Sequence, residues 1–363
     1  MRNHPILKGE SMHFTIAIDS FKGSATSSQL NAAVEAGILA VMPEARVTKV
    51  AIADGGEGSI AALAENLDGE FIEVATFDLL KRPIMAKYLK VGDMAFIESA
   101  EVVGLDKIVP TSETYRQATS FGLGAVILDA IDRNCQKIYL TLGGTGSSDG
   151  GYGLLESLNF SLTDETFRLP SQVELIGLTD VTNPYFGPQG YAAVFGAQKG
   201  GSPQDIADSD AWARSFAKMV STQSGLDLQA IPGTGAAGGL GAAIRILGGR
   251  LEAGFPSIAS LIGLEDQIKA SDIIITGEGQ LDKQSKSGKV PVGVASMAQK
   301  HGKPVIALCG SISPKFTNTS DYFTAVFAIQ RQVLTLAAAM ETERTLDNVK
   351  KVTENIIALL VLD

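Results

Sequence analysis

Four stretches of this chain carry acids, lysines and glycines at spacings that suit the handling of phosphate. The densest runs from Thr276 to Lys289, Thr-Gly-Glu-Gly-Gln-Leu-Asp-Lys-Gln-Ser-Lys-Ser-Gly-Lys, with acids at Glu278 and Asp282 and lysines at Lys283, Lys286 and Lys289. Glycines let backbone N–H groups approach an anion, and lysines beside a helix amino terminus add positive charge. Carboxylates can hold a hydrated Mg²⁺. A second stretch, Gly143-Gly-Thr-Gly-Ser-Ser-Asp-Gly-Gly151, offers Gly143, Gly144, Thr145 and Ser147 to an anion and Asp149 to a metal. The plain alternative there is a turn whose Asp149 caps the next helix. The third, Asp19-Ser-Phe-Lys-Gly-Ser24, presents Asp19, Ser20 and the point charge of Lys22. The fourth, Ala53-Asp-Gly-Gly-Glu-Gly58, presents Gly55, Gly56 and Glu57. Each stretch taken alone also reads as a solvated turn. Their sum favours phosphoryl transfer, which needs such parts together.

Other chemistries are excluded by what is scarce. The chain has two cysteines, Cys135 and Cys309, each in or beside an apolar run, and three histidines, His4, His13 and His301. A histidine-dependent triad or a Cys/His zinc site is not available, so any metal must be held by carboxylates, as Mg²⁺ is. Buried, inert thiols fit a reducing cytoplasm. The net charge of -10 argues against a nucleic-acid binder. With 45% hydrophobic and 19% charged residues the chain should pack as a soluble globule. No apolar run reaches the ~18 residues of a membrane span. Met1 to Met12 have no apolar core of signal-peptide length, and Met12 reads as an alternative start.

The elements that must position these groups follow from periodicity. Phe14–Ile18 and Val47–Ile52 read as strands, each followed by an acid-plus-glycine loop and then a helix, about Ser27–Val41 and Ile60–Leu67. The same texture returns with the strand Asp272–Thr276, its loop, the helix Val290–His301 and the strand Pro304–Leu308. In parallel sheets ligands bind at the carboxyl ends of strands, where all these loops would open. Between them, Phe71–Phe77, Ile84–Val91 and Met94–Ser99 suggest an antiparallel meander, with a helix over Thr119–Asn134 and a strand over Lys137–Leu142 beyond it. The fold expected is α/β. Residues 13–80 and 265–363 form a discontinuous, parallel, Rossmann-like domain, and 81–264 an inserted mixed α/β domain.

Two motifs qualify the picture. Gly288-Lys289 lacks the upstream glycine of a P-loop, because position 283 is lysine. Gly233-Thr-Gly-Ala-Ala-Gly238 matches the dinucleotide pattern, but Pro232 interrupts any preceding strand. A phosphate-binding or close-packing turn at Gly233 and Gly235 fits better. A dinucleotide-dependent oxidoreductase and a non-catalytic binding protein stay as alternatives, as does a kinase of another small hydroxy acid.

The order Asp19-Ser-Phe-Lys-Gly-Ser, Ala53-Asp-Gly-Gly-Glu-Gly, Thr119-Ser-Phe-Gly-Leu-Gly, Leu142-Gly-Gly-Thr-Gly-Ser-Ser-Asp-Gly-Gly, Thr179-Asp-Val-Thr-Asn-Pro, Pro232-Gly-Thr-Gly-Ala-Ala-Gly-Gly-Leu and Thr276-Gly-Glu-Gly-Gln-Leu-Asp resembles the bacterial glycerate kinase family. Ala197 stands where the family often has proline before Gln-Lys-Gly, and Ser59 where threonine is common. The resemblance implies two α/β domains with the active site in the cleft between them, ATP and Mg²⁺, and D-glycerate as acceptor, with 2-phosphoglycerate as product. Within that frame Lys22 and Lys289 would neutralise phosphate or carboxylate. Asp149, Glu278 and Asp282 are the Mg²⁺ candidates. Asp180 or Asp19 would orient the attacking hydroxyl, and which of them does so stays open. Asn183 and Lys199, in segments that carry the resemblance, join the binding candidates. Glycerate and ATP are the partners expected, a homodimer the oligomer considered, and the cytoplasm the location.

Overall fold

The computed structural model describes residues 12–160, 169–282 and 289–361. In chain order the strands are β1 His13–Ile18, β2 Arg46–Lys49, β3 Glu70–Phe77, β4 Pro83–Val91, β5 Met94–Glu98, β6 Lys137–Thr141, β7 Glu174–Leu178, β8 Arg250–Glu252, β9 Ile273–Leu281, β10 Val305–Ile312 and β11 Ala325–Ala328. They fall into two compact units, one formed by residues up to Asp54 with those from Ile258 onward, the other by Gly55–Ser257. Among the described residues no helix is long and apolar enough to cross a membrane.

The first unit is built on a five-stranded sheet of order β11-β10-β9-β1-β2. Every pairing in it is parallel. All six residues of β1 are buried, as a strand covered on both faces requires. Phe14, Ile16 and Ile18 pack with Ile273, Ile275, Ile306 and Leu308. The helix Ser27–Val41 adds Leu30, Val34 and Ile38, and the helix Thr342–Leu360 adds Val349, Ile356 and Ile357. Thr26 opens the former helix with a capping box to Gln29. The two helices meet at Gly37, where a Cβ would lie 2.7 Å from the Lys350 carbonyl, so only glycine allows the approach.

The second unit has a six-stranded sheet of order β3-β4-β5-β6-β7-β8. Its first two pairings are antiparallel and the other three parallel. The meander therefore covers only its beginning. Val126, Ile127, Leu140, Leu154 and Leu240 are among its core residues.

Three expectations change. The first break falls at Asp54 rather than residue 80, because β3 pairs along its whole length with β4 of the second sheet. Strand β9 does not stop at Thr276. It runs on to Leu281, paired with β10 as far as Ile312, so Glu278 stands on a strand and not in a loop. The helix expected over Thr119–Asn134 starts at Leu123, and a separate helix, Ser112–Gln117, precedes it. Lys283, Lys286 and Gly288 lie outside the described residues.

Candidate active site in the first unit

Because β1, β2 and β9 are parallel, their carboxyl ends open at one edge. There Asp19, Ser20, Lys22, Asp54, Glu278, Asp282 and Lys289 line a cavity of about 680 Å³. That volume is in the ordinary range of ligand sites. Two side chains of the helix Ser27–Val41 set the strand ends. Ser27 Oγ donates to the Ile18 carbonyl at 2.6 Å and accepts from Ile52 N–H at 3.0 Å. Asn31 accepts from Ile18 N–H at 3.2 Å and donates to the Val50 carbonyl at 2.9 Å. Both thus tie the end of β1 to the segment after β2, which holds Asp19 and Asp54 as neighbours. Asp19 N–H bonds the Gly277 carbonyl at 2.9 Å. The loop then closes on itself, with Phe21 N–H on the Ala25 carbonyl at 2.9 Å and Gly23 at φ +72°.

Three carboxylates are nearly shut off from water here: Asp19 is 5%, Glu278 7% and Asp54 9% exposed. Asp19 is pushed up to about 8, first by burial and then by the negative charge of Asp54, with Glu278 adding to it. The Ser20 N–H, 2.8 Å from Asp19 Oδ1, and the Lys22 ammonium pull the other way. Lys289, the N-cap residue of the helix Val290–Lys300, brings its Nζ to 4.0 Å from Asp54 Oδ2. Acids held close at this cost, faced by lysines, are the mark of a site that receives further charge. Among the described residues no three His, Cys, Asp or Glu side chains converge to hold an ion by themselves. Mg²⁺ takes one or two carboxylates and completes its shell with water and substrate phosphates, so this oxygen-only set fits an ion that arrives with a phosphorylated ligand.

The other candidates belong to the second unit and do not line this cavity. Asp149 Oδ2 accepts from Ser120 N–H at 2.7 Å, Ser120 Oγ at 2.9 Å and Gly153 N–H at 3.1 Å. These bonds hold it at the start of the helix Tyr152–Ser157. Gly143 and Gly56 pack back to back, a Cβ on the former lying 2.5 Å from the Cα of the latter. Gly55 has φ +89° against Gly254, and Glu57 is exposed. Gly144, also at positive φ, accepts from Leu105 N–H through its carbonyl at 2.9 Å. Gly235 N–H bonds the Asn183 carbonyl at 3.0 Å, and Gly233 accepts from Ala236 N–H at 2.9 Å. The Gly235 N–H and these close approaches serve packing. Asn183 Nδ2 donates to the Gln189 carbonyl, and Asp180 Oδ1 accepts from Gly254 N–H at 3.0 Å. Lys199 is buried, with Nζ on the Ser147 carbonyl at 2.6 Å and near Thr145 Oγ1 at 3.4 Å. Burial pulls its ammonium down to about 8.

A sequence model of the Glycerate kinase family matches residues 14–171 and 167–361. The glycerate 2-kinase of Escherichia coli K12 is 32% identical over 377 aligned residues, covering 97% of this chain and 98% of that one. This chain belongs to the glycerate kinase family. The glycerate kinase of Halalkalibacterium halodurans is 33% identical over 352 residues, covering 90% and 93% of the two chains. A solved structure from Salmonella typhimurium LT2, described as a glycerate kinase 2, superposes with a TM-score of 0.82 at 32% identity, covering 97% of this chain and 98% of that one.

For this member of the glycerate kinase family, sequence reasoning missed Asp54, Ser27 and Asn31. In the stretch 53–58 the sequence points to the glycines and to Glu57, whereas the structure puts Asp54 on the cavity wall. A signal for Asp54 was present: strands that neighbour each other in a parallel sheet deliver the first residues of their loops side by side. Nothing in the types of Ser27 and Asn31 distinguished them from ordinary helix-start residues.

Proposed function

We propose that this protein transfers the γ-phosphoryl group of ATP to the 2-hydroxyl of D-glycerate, with Asp19 taking the hydroxyl proton. The observation that carries this is the buried Asp19 carboxyl, raised to about 8, in a cavity that also holds Lys22 and Lys289. A general base works best with its pKa near the operating pH, and an ordinary aspartate lies far below it. In the step, the glycerate oxygen bonds to the γ-phosphorus, the bond to the β-bridging oxygen breaks, ADP leaves, and the proton passes to Asp19. Lys22 and Lys289 place positive charge against the phosphates. Mg²⁺, when bound, would neutralise charge on the transferring group. One or two of Asp54, Glu278 and Asp282 would hold it, with water and substrate oxygens completing its shell. The names of the relatives support glycerate as acceptor, and the Escherichia coli one supports the 2-position. The thiols of Cys135 and Cys309 are both free and buried, which supports a cytoplasmic setting.

The test is NMR of the product formed from D-glycerate and MgATP. The expected result is 2-phosphoglycerate with one ADP each, abolished by excess EDTA. Formation of 3-phosphoglycerate would overturn the position of transfer. Full turnover in EDTA would remove the metal, and absence of ADP release would leave a binding protein.

A further inference from the structure

The lining of the first unit's cavity is of two kinds. Its acids and lysines come from β1, β2, β9 and the loops that follow them. Its apolar part is Phe21, from the loop after β1, together with Ile329, Leu334, Leu336, Ala339 and Met340 from the segment that follows β11, the edge strand opposite β2. This segment is anchored at both ends. Ile329 N–H bonds the Cys309 carbonyl at 2.8 Å, and Thr342 Oγ1 donates to the Ser24 carbonyl at 2.6 Å. Yet it leaves apolar groups uncovered: Leu336 is 76% exposed and its neighbour Val333 wholly so. The same segment brings Gln330 to the lining, and its buried Oε1 has no hydrogen-bond partner among the described residues. A buried acceptor without a donor is a defect unless a ligand supplies one.

Glycerate carries an oxygen on each of its three carbons and has no surface for an apolar wall. A purine has a broad apolar face and a polar edge, the combination such a pocket selects. We propose that Ile329, Leu334, Leu336 and Met340 form the subsite for the purine base of the phosphoryl donor, and that Gln330 accepts a hydrogen bond from the exocyclic amino group of adenine. The proposal rests on the reading that a nucleotide is that donor. It places the base by the β11 side and the phosphates by the lysines and acids of β1, β2 and β9, so one ligand spans both linings. A 6-oxopurine puts an acceptor where adenine has its donor, so Gln330 should disfavour it.

Calorimetry tests this without turnover, with ADP, GDP, adenosine and inorganic tripolyphosphate as probes. Leu336→Asp changes an exposed residue, so the fold should persist, checked by circular dichroism. It should weaken ADP and adenosine about tenfold or more and leave tripolyphosphate within about twofold, since only the base loses its apolar contact. Gln330→Leu should narrow the preference for ADP over GDP by about tenfold, the scale of one buried polar partner. Gln330→Glu, which keeps the acceptor, should retain that preference. The proposal falls if Leu336→Asp leaves ADP unchanged, if tripolyphosphate weakens equally, or if Gln330→Leu leaves the purine preference untouched. If the wild type binds in this pattern but forms no phosphoglycerate, the acceptor assignment fails and the base subsite stands. Normal phosphoglycerate formation with a flat ADP pattern overturns the subsite alone.

Discussion

The first unit brings acids and lysines to a cavity, while the second folds its glycine-rich segments against one another. The Gly143–Gly151 and Gly233–Gly239 segments touch through their backbones. Gly150 N–H bonds the Gly238 carbonyl at 2.9 Å, and a Cβ at Gly151 would lie 2.6 Å from the Gly239 carbonyl. In the first unit Gly277 also answers to packing, since a Cβ there would overlap the Leu308 carbonyl of the adjacent strand. Glycine content by itself therefore marks close backbone approach. What separates a ligand-facing region from a packed one is the fate of the charged groups. Asp19 and Glu278 are buried on the wall of a cavity shared with two lysines, whereas the half-buried Asp149 accepts hydrogen bonds from Ser120 and Gly153 of its own unit.

The largest expected effect that tests this contrast is at Asp19. Asp19→Asn keeps the acceptor for Ser20 N–H but cannot take a proton, so kcat should fall about 10²–10⁴-fold, the usual reach of a general base. Stability should move oppositely. The folded carboxyl, raised to about 8, binds a proton that the unfolded chain releases near the ordinary aspartate value. Its stabilising contribution is complete below that value and is lost as pH rises through about 8. Thermal unfolding at pH 8 should show the Asn variant more stable, on the order of 1 kcal/mol or more. A variant that is inactive and also less stable would mean that Asp19 holds the fold rather than the reaction.

Next comes Lys22, an exposed residue whose charge acts on Asp19. Lys22→Ala should lose about 10²–10³-fold in kcat, the range for one electrostatic stabiliser, with KM for glycerate and ATP less affected. Lys22→Arg should rescue poorly, because a planar fork does not occupy a point charge's place. Wild-type turnover in a folded Lys22→Ala protein would shift the cationic role to Lys289.

Gly238→Ala probes the other side. Gly238 has φ +66°, and a Cβ would overlap the Ser147 carbonyl. The variant should lose about 2–4 kcal/mol of stability, from left-handed backbone and overlap together. The molecules that stay folded should keep their ATP affinity. Unchanged melting with lost ATP affinity would instead make these glycines a phosphate cradle.

Much of this arrangement was legible beforehand because parallel strands leave two readable marks, a buried β-branched run and an acid-plus-glycine loop. Those marks single out Asp19, Ser20, Lys22, Glu278, Asp282 and Lys289, all of which line the cavity. They did not show that β9 continues past Thr276, because its pairing is set by the length of β10, far away in sequence. Nor did they separate Asp149 from Glu278. Both are acids among glycines after an apolar run, and only the fold reveals that Ser120 and Gly153 reach one of them. The break at Asp54 was misplaced for a similar reason, since the helix Ser59–Asn66 continues the βαβ texture while β3 already pairs in the second sheet.

The smallest effect expected is at Lys199, where the contrast can be read in a single titration. Its ammonium is buried among uncharged acceptors, the Ser147 carbonyl and Thr145 Oγ1, and burial brings it down to about 8 while the charge of Asp149 opposes this. The folded group gives up its proton near that value, and the unfolded lysine holds it to the ordinary range near 10.4. Unfolding at pH 9 therefore takes up a proton, so stability should rise between about pH 8 and 10, opposite in sign to the Asp19 limb. Together the two groups should give a trough near pH 8. Lys199→Met fills a similar volume without charge and should remove only the rising limb, on the order of 1 kcal/mol, while Asp19→Asn removes only the falling one. Calorimetric scans of both variants across pH 5–10 would check this. A rising limb that survives in Lys199→Met would mean that Lys199 titrates as an ordinary lysine, with a path to solvent or to a charge in the folded chain.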